Sequence, residues 1–237
     1  MSKYKDLFID FDDTLYDTHG NAIIALKELY EAFNLSEKLS SEEKFYEEYW
    51  KANVALWGQY SRGEIERGYL IVERFRRPLE ACAYSTEGWL TKDYCLEVSD
   101  KFLDLCSVKP GVVEGAHELV KYLKDKGYRL YICSNGFHEV QYKKLRACGL
   151  LDYFDNIILS EDAGVNKPST KFFDYAFEVS GAERETTLMI GDNYNSDIIG
   201  AINSGIDTML FMRWDPIEMP KQPKYQVATL KEITTIL

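Results

Sequence analysis

The stretch FIDFDDTLYD, residues 8–17, decides how the rest of the chain is read. An apolar run with the character of a buried strand ends in two acids, Asp10 and Asp12, with Thr14 just beyond. In extended backbone, side chains two apart point the same way, so Asp10 and Asp12 can face one reacting centre. Carboxylates held that close repel unless a cation lies between them or a proton is shared. Such a pair is costly to a chain that needs only stability. It is useful to a catalyst that needs one nucleophile and one proton carrier.

Working outward, strands and helices alternate from Lys109 onward. Residues 114–126 carry helical apolar spacing and stop at Gly127, and YRLYIC (128–133) reads as a buried strand ending in Ser134-Asn135-Gly136. A helix over 137–148 closes at Gly149, and NIILS (156–160) is the next strand. A loop through Lys167-Pro168 opens a helix over 171–180, and TLMI (187–190) is a strand that breaks at Gly191-Asp192. Helix 197–204, strand DTMLFM (207–212), an extended piece at 226–228 and a helix over 230–236 complete the series. Short, continuously apolar strands alternating with helices predict an α/β fold, a Rossmann-like parallel sheet covered on both faces. Such sheets bind ligands at the carboxyl ends of their strands. Asp10, Ser134 and Asp192 each fall at such an end.

Residues 17–108 are different. They are rich in aromatic and charged residues, and helices are expected over 21–33, 41–57, 62–77 and 86–106 with no strand. The predicted organisation is an α/β core from 1–16 and 109–237, interrupted by an all-helical cap from 17–108.

Composition narrows the function. A 46% hydrophobic content over 237 residues supplies one large core or two smaller ones. Lys and Arg number 28 against 39 Asp and Glu, a net charge of −11, which argues against a nucleic-acid partner because phosphate backbones need clustered cations. A small anion at a local cationic site, particularly one with a metal, is compatible. Cys82, Cys95, Cys106, Cys133 and Cys148 contain no Cys-x-x-Cys pair and read as reduced, packed thiols. His19, His117 and His138 have no ligand spacing. The opening MSKYKDLFIDFDD carries an acid by its sixth residue, unlike a signal peptide, and no run of about 18 apolar residues exists to cross a membrane. A cytoplasmic protein with no membrane partner, monomeric or weakly dimeric, is expected.

Four stretches in chain order, Asp10-Phe11-Asp12-Asp13-Thr14, Ser134 after its strand, Lys167 in NKPS, and GDNYNSD (191–197), resemble the four signatures of the haloacid dehalogenase superfamily. The resemblance implies a Mg²⁺-dependent phosphomonoester hydrolase whose Asp10 attacks phosphorus and forms an aspartyl-phosphate. Asp12 would protonate the leaving alkoxide and then activate water. Asp10, the Asp12 carbonyl and Asp192 would hold the metal through oxygen. Ser134 and the Asn135 amide, in the Ser134-Asn135-Gly136 turn, would bind phosphoryl oxygens, and Lys167 would supply a fixed positive charge. Thr14 and Asp197 are implied to orient these groups, and Asp13 is read as structural. Members resembling dehalogenases lack the second acid, since a halide leaves without a proton, so Asp12 favours phosphoryl transfer.

In the cap, Asn53-x-x-x-Trp57, Gly63-x-Ile65 and Arg74-Phe75 look similar to the pyrimidine 5′-nucleotidase group. Trp57 and Arg74 are therefore expected to contact substrate, a small phosphorylated metabolite, with nucleoside 5′-monophosphates favoured. A phosphatase or mutase of sugar phosphates is the alternative reading. A phosphate-binding regulatory protein is the non-enzyme alternative, disfavoured because binding alone needs no proton carrier.

Overall fold

A computed structural model describes residues 3–214 and 218–237. Its sheet is built from β1 (Asp6–Ile9), β2 (Arg129–Ser134), β3 (Asn156–Leu159), β4 (Thr187–Gly191), β5 (Asp207–Phe211) and β6 (Tyr225–Val227). The strands are all parallel, in the order β3-β2-β1-β4-β5-β6. Every residue of β1 and β4 is buried. Alternation along β1 splits the core: Leu7 and Ile9 pack with Leu130, Ile132, Leu188 and Ile190, while Phe8 packs on the opposite face with Tyr131, Phe172, Phe173 and Met189.

The chain divides into two compact units, one of residues 1–18 and 110–237, the other of residues 19–109. Ten helices are described: α1 (Thr18–Ala32), α2 (Glu42–Ser61), α3 (Arg67–Cys82), α4 (Lys92–Ser107), α5 (Ala116–Asp125), α6 (His138–Ala147), α7 (Ser160–Ala163), α8 (Thr170–Ser180), α9 (Ile199–Asn203) and α10 (Leu230–Ile236). In the helical unit Leu26, Leu29, Phe45, Tyr49, Phe75, Leu79, Val98 and Phe102 form a separate core. The Ser41 hydroxyl accepts from the Lys44 amide at 3.2 Å and starts α2, and the Thr91 hydroxyl accepts from the Tyr94 amide at 3.1 Å and starts α4. That second cap places the start of α4 six residues later than apolar spacing from Thr86 suggests. α3 runs on through Pro78 to Cys82, because its buried face continues through Leu79 and Cys82 and packing outweighs the missing donor.

β1 is central, with β2 on one side and β4 on the other, aligned so that Ile9 sits beside both Ile132 and Ile190. The chain thus leaves β1 in one direction and later returns to its other side. Loops diverge at such a switch point and leave a crevice beyond the strand ends. Asp10, Ser134 and Asp192 lie there.

Candidate active site

Asp10 follows β1 directly, and its amide donates to the Ile190 carbonyl at 2.8 Å, which extends the pairing by one residue and fixes where its side chain emerges. The carboxylate is 7% exposed. Lys167 Nζ donates to Asp10 Oδ1 at 2.7 Å, to Asp197 Oδ1 at 2.8 Å and to the Cys133 carbonyl at 2.5 Å. All three ammonium hydrogens are therefore committed, and the charge is fixed in place. The Thr14 hydroxyl shares its hydrogen between Asp10 Oδ2 at 3.2 Å and Asp192 Oδ1 at 3.0 Å, while accepting from the Asp192 amide at 3.1 Å. One threonine thus ties the end of β1 to the end of β4.

Asp197 enters through a local departure from the helix expected over 197–204. Residues Tyr194–Ile198 form one wide π-type turn before α9. The Asn193 side chain caps it by accepting from the amides of Asn195 and Ser196, both at 3.1 Å. The wide turn carries the Asp197 carboxylate back beneath β4, where Oδ2 accepts from the Asn193 amide at 3.1 Å and Oδ1 from Ser196 Oγ at 2.9 Å. A Cβ on Gly191 would fall 2.3 Å from Asp197 Oδ2, so only glycine admits this approach.

Asp12 turns the other way. Its Oδ1 accepts from Lys144 Nζ at 2.5 Å and Thr18 Oγ1 at 2.6 Å, and its Oδ2 from Gln141 Nε2 at 2.5 Å. Mutual repulsion between the two acids is therefore not relieved by one cation between them, as their spacing suggests. Each has its own lysine, because the chain bends after β1 and separates their directions. Burial alone would raise Asp12, but the Lys144 ammonium and the three donors outweigh it and hold the carboxyl below its ordinary range.

Burial pushes Asp10 up, against the pull of Lys167 and helped by Asp197 and Asp192. Burial, then Asp197 and Asp13, push Asp192 up to about 7, while donation from Trp214 and Thr14 works the other way. Oxygens of Asp10, Asp192 and Asp197 all lie within 4.8 Å of one another. Three carboxylates around one ammonium leave an excess of negative charge, and the donors are all oxygen. A hard divalent cation fits that set. Among the described residues no hydrogen bond ends on the Asp12 carbonyl, which leaves it available as a further oxygen donor, whereas the Asp12 side chain is engaged elsewhere.

The fold brings Asp10, Asp12, Thr14, Ser134, Asn135, Gly136, Lys167, Asp192 and Asp197 to one end of the sheet. Ser134 Oγ accepts from the Gly136 amide at 3.0 Å and from Gln141 Nε2 at 2.6 Å. With both lone pairs used, its own hydrogen is turned outward as a donor. Asp13 has φ 62° and is anchored by Arg213, whose guanidinium donates to the Asp13 carbonyl at 3.3 Å and also pairs with Asp17.

Trp57 and Arg74 belong to the helical unit. Trp57 is half-buried and packs edge-on against Tyr60, with ring centroids 5.5 Å apart. Arg74 departs from the expected substrate contact. It is 3% exposed, donates to Ser99 Oγ at 3.1 Å and lies over the rings of Phe75 and Phe102. Position 74 shares its helical stripe with Leu70 and Pro78, which directs it into the core of that unit.

Sequence reasoning missed Lys144, Gln141, Thr18 and the Trp214 indole, which donates to Asp192 Oδ2 at 2.7 Å. For Gln141 and Lys144 a signal existed: two polar residues at i and i+3 interrupt the buried face of α6 between Val140 and Leu145.

The model of the haloacid dehalogenase-like hydrolases matches residues 4–205. The chain is 31% identical to the HAD-hydrolase YfnB of Bacillus subtilis, over 100% of this chain and 97% of that protein. It is 30% identical to the pyrimidine 5′-nucleotidase PynA of Streptococcus pneumoniae, over 99% and 95%. Identity to the glyceraldehyde 3-phosphate phosphatase of Methanothermobacter thermautotrophicus is 27%, over 87% and 84%. The crystal structure of YfnB bound to magnesium superposes with a TM-score of 0.86 at 30% identity, covering 99% of both chains.

Proposed function

Since this chain belongs to the haloacid dehalogenase-like hydrolases and is a phosphatase among them, we propose that it is a Mg²⁺-dependent hydrolase of nucleoside 5′-monophosphates working through an aspartyl-phosphate. The observation that carries this reading is the Asp10 carboxylate, gripped by Lys167 and Thr14 beside two further acids.

Asp10 attacks phosphorus, the bond from phosphorus to the ester oxygen breaks, and Asp12 hands a proton to the departing alkoxide. Asp12 then takes a proton from water, whose oxygen attacks the phosphoryl group and releases inorganic phosphate and the Asp10 carboxylate. The first half needs Asp12 protonated and the second needs it ionised; its bonds in the structure favour the second. Lys167 and the outward hydrogen of Ser134 face the charge on the phosphoryl oxygens. Asp10, Asp192 and the Asp12 carbonyl would hold Mg²⁺, whose charge would offset the repulsion between carboxylate and phosphate. Asp197 holds Lys167.

The core groups recognise only a phosphoryl group, so the leaving group is selected by the helical unit acting as a cap. Trp57 and Tyr60 offer flat faces, with Arg62, which pairs with Glu64, and Arg67 following them in the sequence, a set suited to stacking a base and meeting its polar edge. The likeness to PynA over nearly the whole length supports a pyrimidine nucleotide. The likeness to a glyceraldehyde 3-phosphate phosphatase supports a second reading, a small sugar phosphate. Five buried free thiols go with a cytoplasmic setting.

The test is kcat/KM for UMP and dTMP against a hexose phosphate and a triose phosphate, with Mg²⁺ and with chelator, then again in Trp57→Ala. A nucleotide preference that Trp57→Ala diminishes is expected. Preference for a sugar phosphate, or equal weakening of all four substrates, would remove the nucleotidase reading.

A further inference from the structure

The buried face of α6 carries two polar residues that none of the steps above uses. Gln141 is 0% and Lys144 7% exposed. Burying an ammonium group is strongly unfavourable unless it is paired, and Lys144 pairs with Asp12 at 2.5 Å. Gln141 Nε2 reaches both Asp12 Oδ2 at 2.5 Å and Ser134 Oγ at 2.6 Å. A carboxylate accepts and cannot donate, so the amide must present its nitrogen to Asp12. One nitrogen therefore joins the turn after β1 to the end of β2.

The backbone makes room for this link. A Cβ on Gly136 would fall 1.9 Å from Gln141 Nε2 and 2.5 Å from its Cδ. The glycine of the Ser134-Asn135-Gly136 turn is thus required by the path of Gln141, whatever else the turn binds. With Thr18 the two α6 residues hold both oxygens of Asp12, where an acid on a free turn would sample several rotamers.

We propose that Lys144 and Gln141 are positioning residues for the proton transfer made by Asp12, with Gln141 also setting the direction of the Ser134 hydroxyl. The inference rests on the acid/base reading of Asp12 and names what makes that acid effective. Neither side chain need touch substrate. Each acts by keeping Asp12 within reach of the ester oxygen and, through Gln141, in register with the phosphoryl oxygens that Ser134 meets.

The experiment compares Lys144→Met, Lys144→Arg and Gln141→Met on two substrates, UMP, whose alkoxide needs a proton, and p-nitrophenyl phosphate, whose phenolate leaves without one. kcat/KM covers the steps up to phosphoryl transfer, so it isolates the departure of the leaving group. Lys144→Met is expected to lower kcat/KM for UMP by about 10- to 100-fold, within the range a general acid contributes, and that for the aryl phosphate several-fold less. The loss should fall on kcat more than on KM, Lys144→Arg should recover part of it, and Gln141→Met should show the same selectivity. In an Asp12→Asn background, where no carboxylate is left unpaired, Lys144→Met should cost nothing further. Equal losses on both substrates, or a full further loss in the Asp12→Asn background, would overturn the inference. Asp12→Asn alone separates the two levels: if its own loss is equal on both substrates, the acid/base reading fails. If Asp12→Asn is selective and Lys144→Met is not, only the positioning role fails.

Discussion

Asn135 and Lys167 exchange two hydrogen bonds: Asn135 Nδ2 donates to the Lys167 carbonyl at 2.9 Å, and the Lys167 amide donates to Asn135 Oδ1 at 2.8 Å. The clamp joins the turn after β2 to the loop before α8, so the lysine is held by its backbone as well as by Asp10 and Asp197. Asn135→Ala would leave two backbone groups unpartnered, at about 1–3 kcal/mol each if they stay dry. Tm should fall by several degrees, and kcat by tenfold or more as the Lys167 ammonium loses its place. An unchanged kcat alongside a lowered Tm would limit Asn135 to stability.

Asp10→Asn keeps the size of the side chain and removes its charge. Turnover should drop by several orders of magnitude, while the fold persists because Lys167 retains Asp197 at 2.8 Å. Steady-state rates with circular dichroism on the same samples check both parts. Retention of more than about a tenth of the activity would exclude Asp10 as nucleophile.

Metal affinity should depend on pH. Without metal the Asp192 carboxyl is pushed up to about 7 by burial and by Asp197 and Asp13. Asp10 is pushed up as well, so at low pH the site binds protons that the cation must displace, and Mg²⁺ affinity should rise with pH through 7. At lower pH it should weaken by about tenfold per unit for each proton displaced. Titration calorimetry of Mg²⁺ into the protein at pH 5.5, 6.5 and 8 measures this, and the released proton appears as a buffer-dependent heat. A flat affinity across that range would contradict it.

Asp207, at the start of β5, makes a prediction about stability instead. It accepts from Lys3 Nζ and Lys224 Nζ, each at 2.6 Å, and from the Tyr4 hydroxyl at 2.8 Å. Burial would raise its carboxyl, but the bonds from Lys224, Lys3 and Tyr4 prevail and lower it to about 2. A depressed carboxyl contributes stability above its unfolded value near 4 and loses it as pH falls through 2. Asp207→Asn should therefore cost on the order of 1 kcal/mol at pH 7, discounted for exposed lysine partners, and progressively less toward pH 2. Urea unfolding of both proteins at pH 7 and pH 2.5 tests it; a constant difference would mean the bonds matter for shape and not charge.

The parallel sheet was legible because each strand is a short apolar run closed by a turn or capping residue, and such runs are buried whatever their partners are. β1, β2, β4 and β5 fall where the pattern puts them, within a residue or two. Helix starts in the 19–109 unit were less legible. Caps at Ser41 and Thr91, and packing carried past Pro78, set the ends of these helices, and apolar spacing does not report them.

What the sequence by itself determined was the set of groups that meet at the end of the sheet. Asp10, Ser134, Lys167 and Asp192 follow strands or precede a helix, so topology alone carries them to one place. What only the tertiary structure decided was the direction of each side chain and its partner. Asp10 and Asp12, two residues apart, face different lysines because the chain bends after β1. Lys144 and Gln141 join Asp12 across more than a hundred residues of sequence, and Arg74 is drawn into a hydrophobic core. A local pattern records which face of an element is apolar. It does not record which distant donor fills a buried carboxylate, because that choice is made by packing and electrostatics between elements that the chain brings together only on folding.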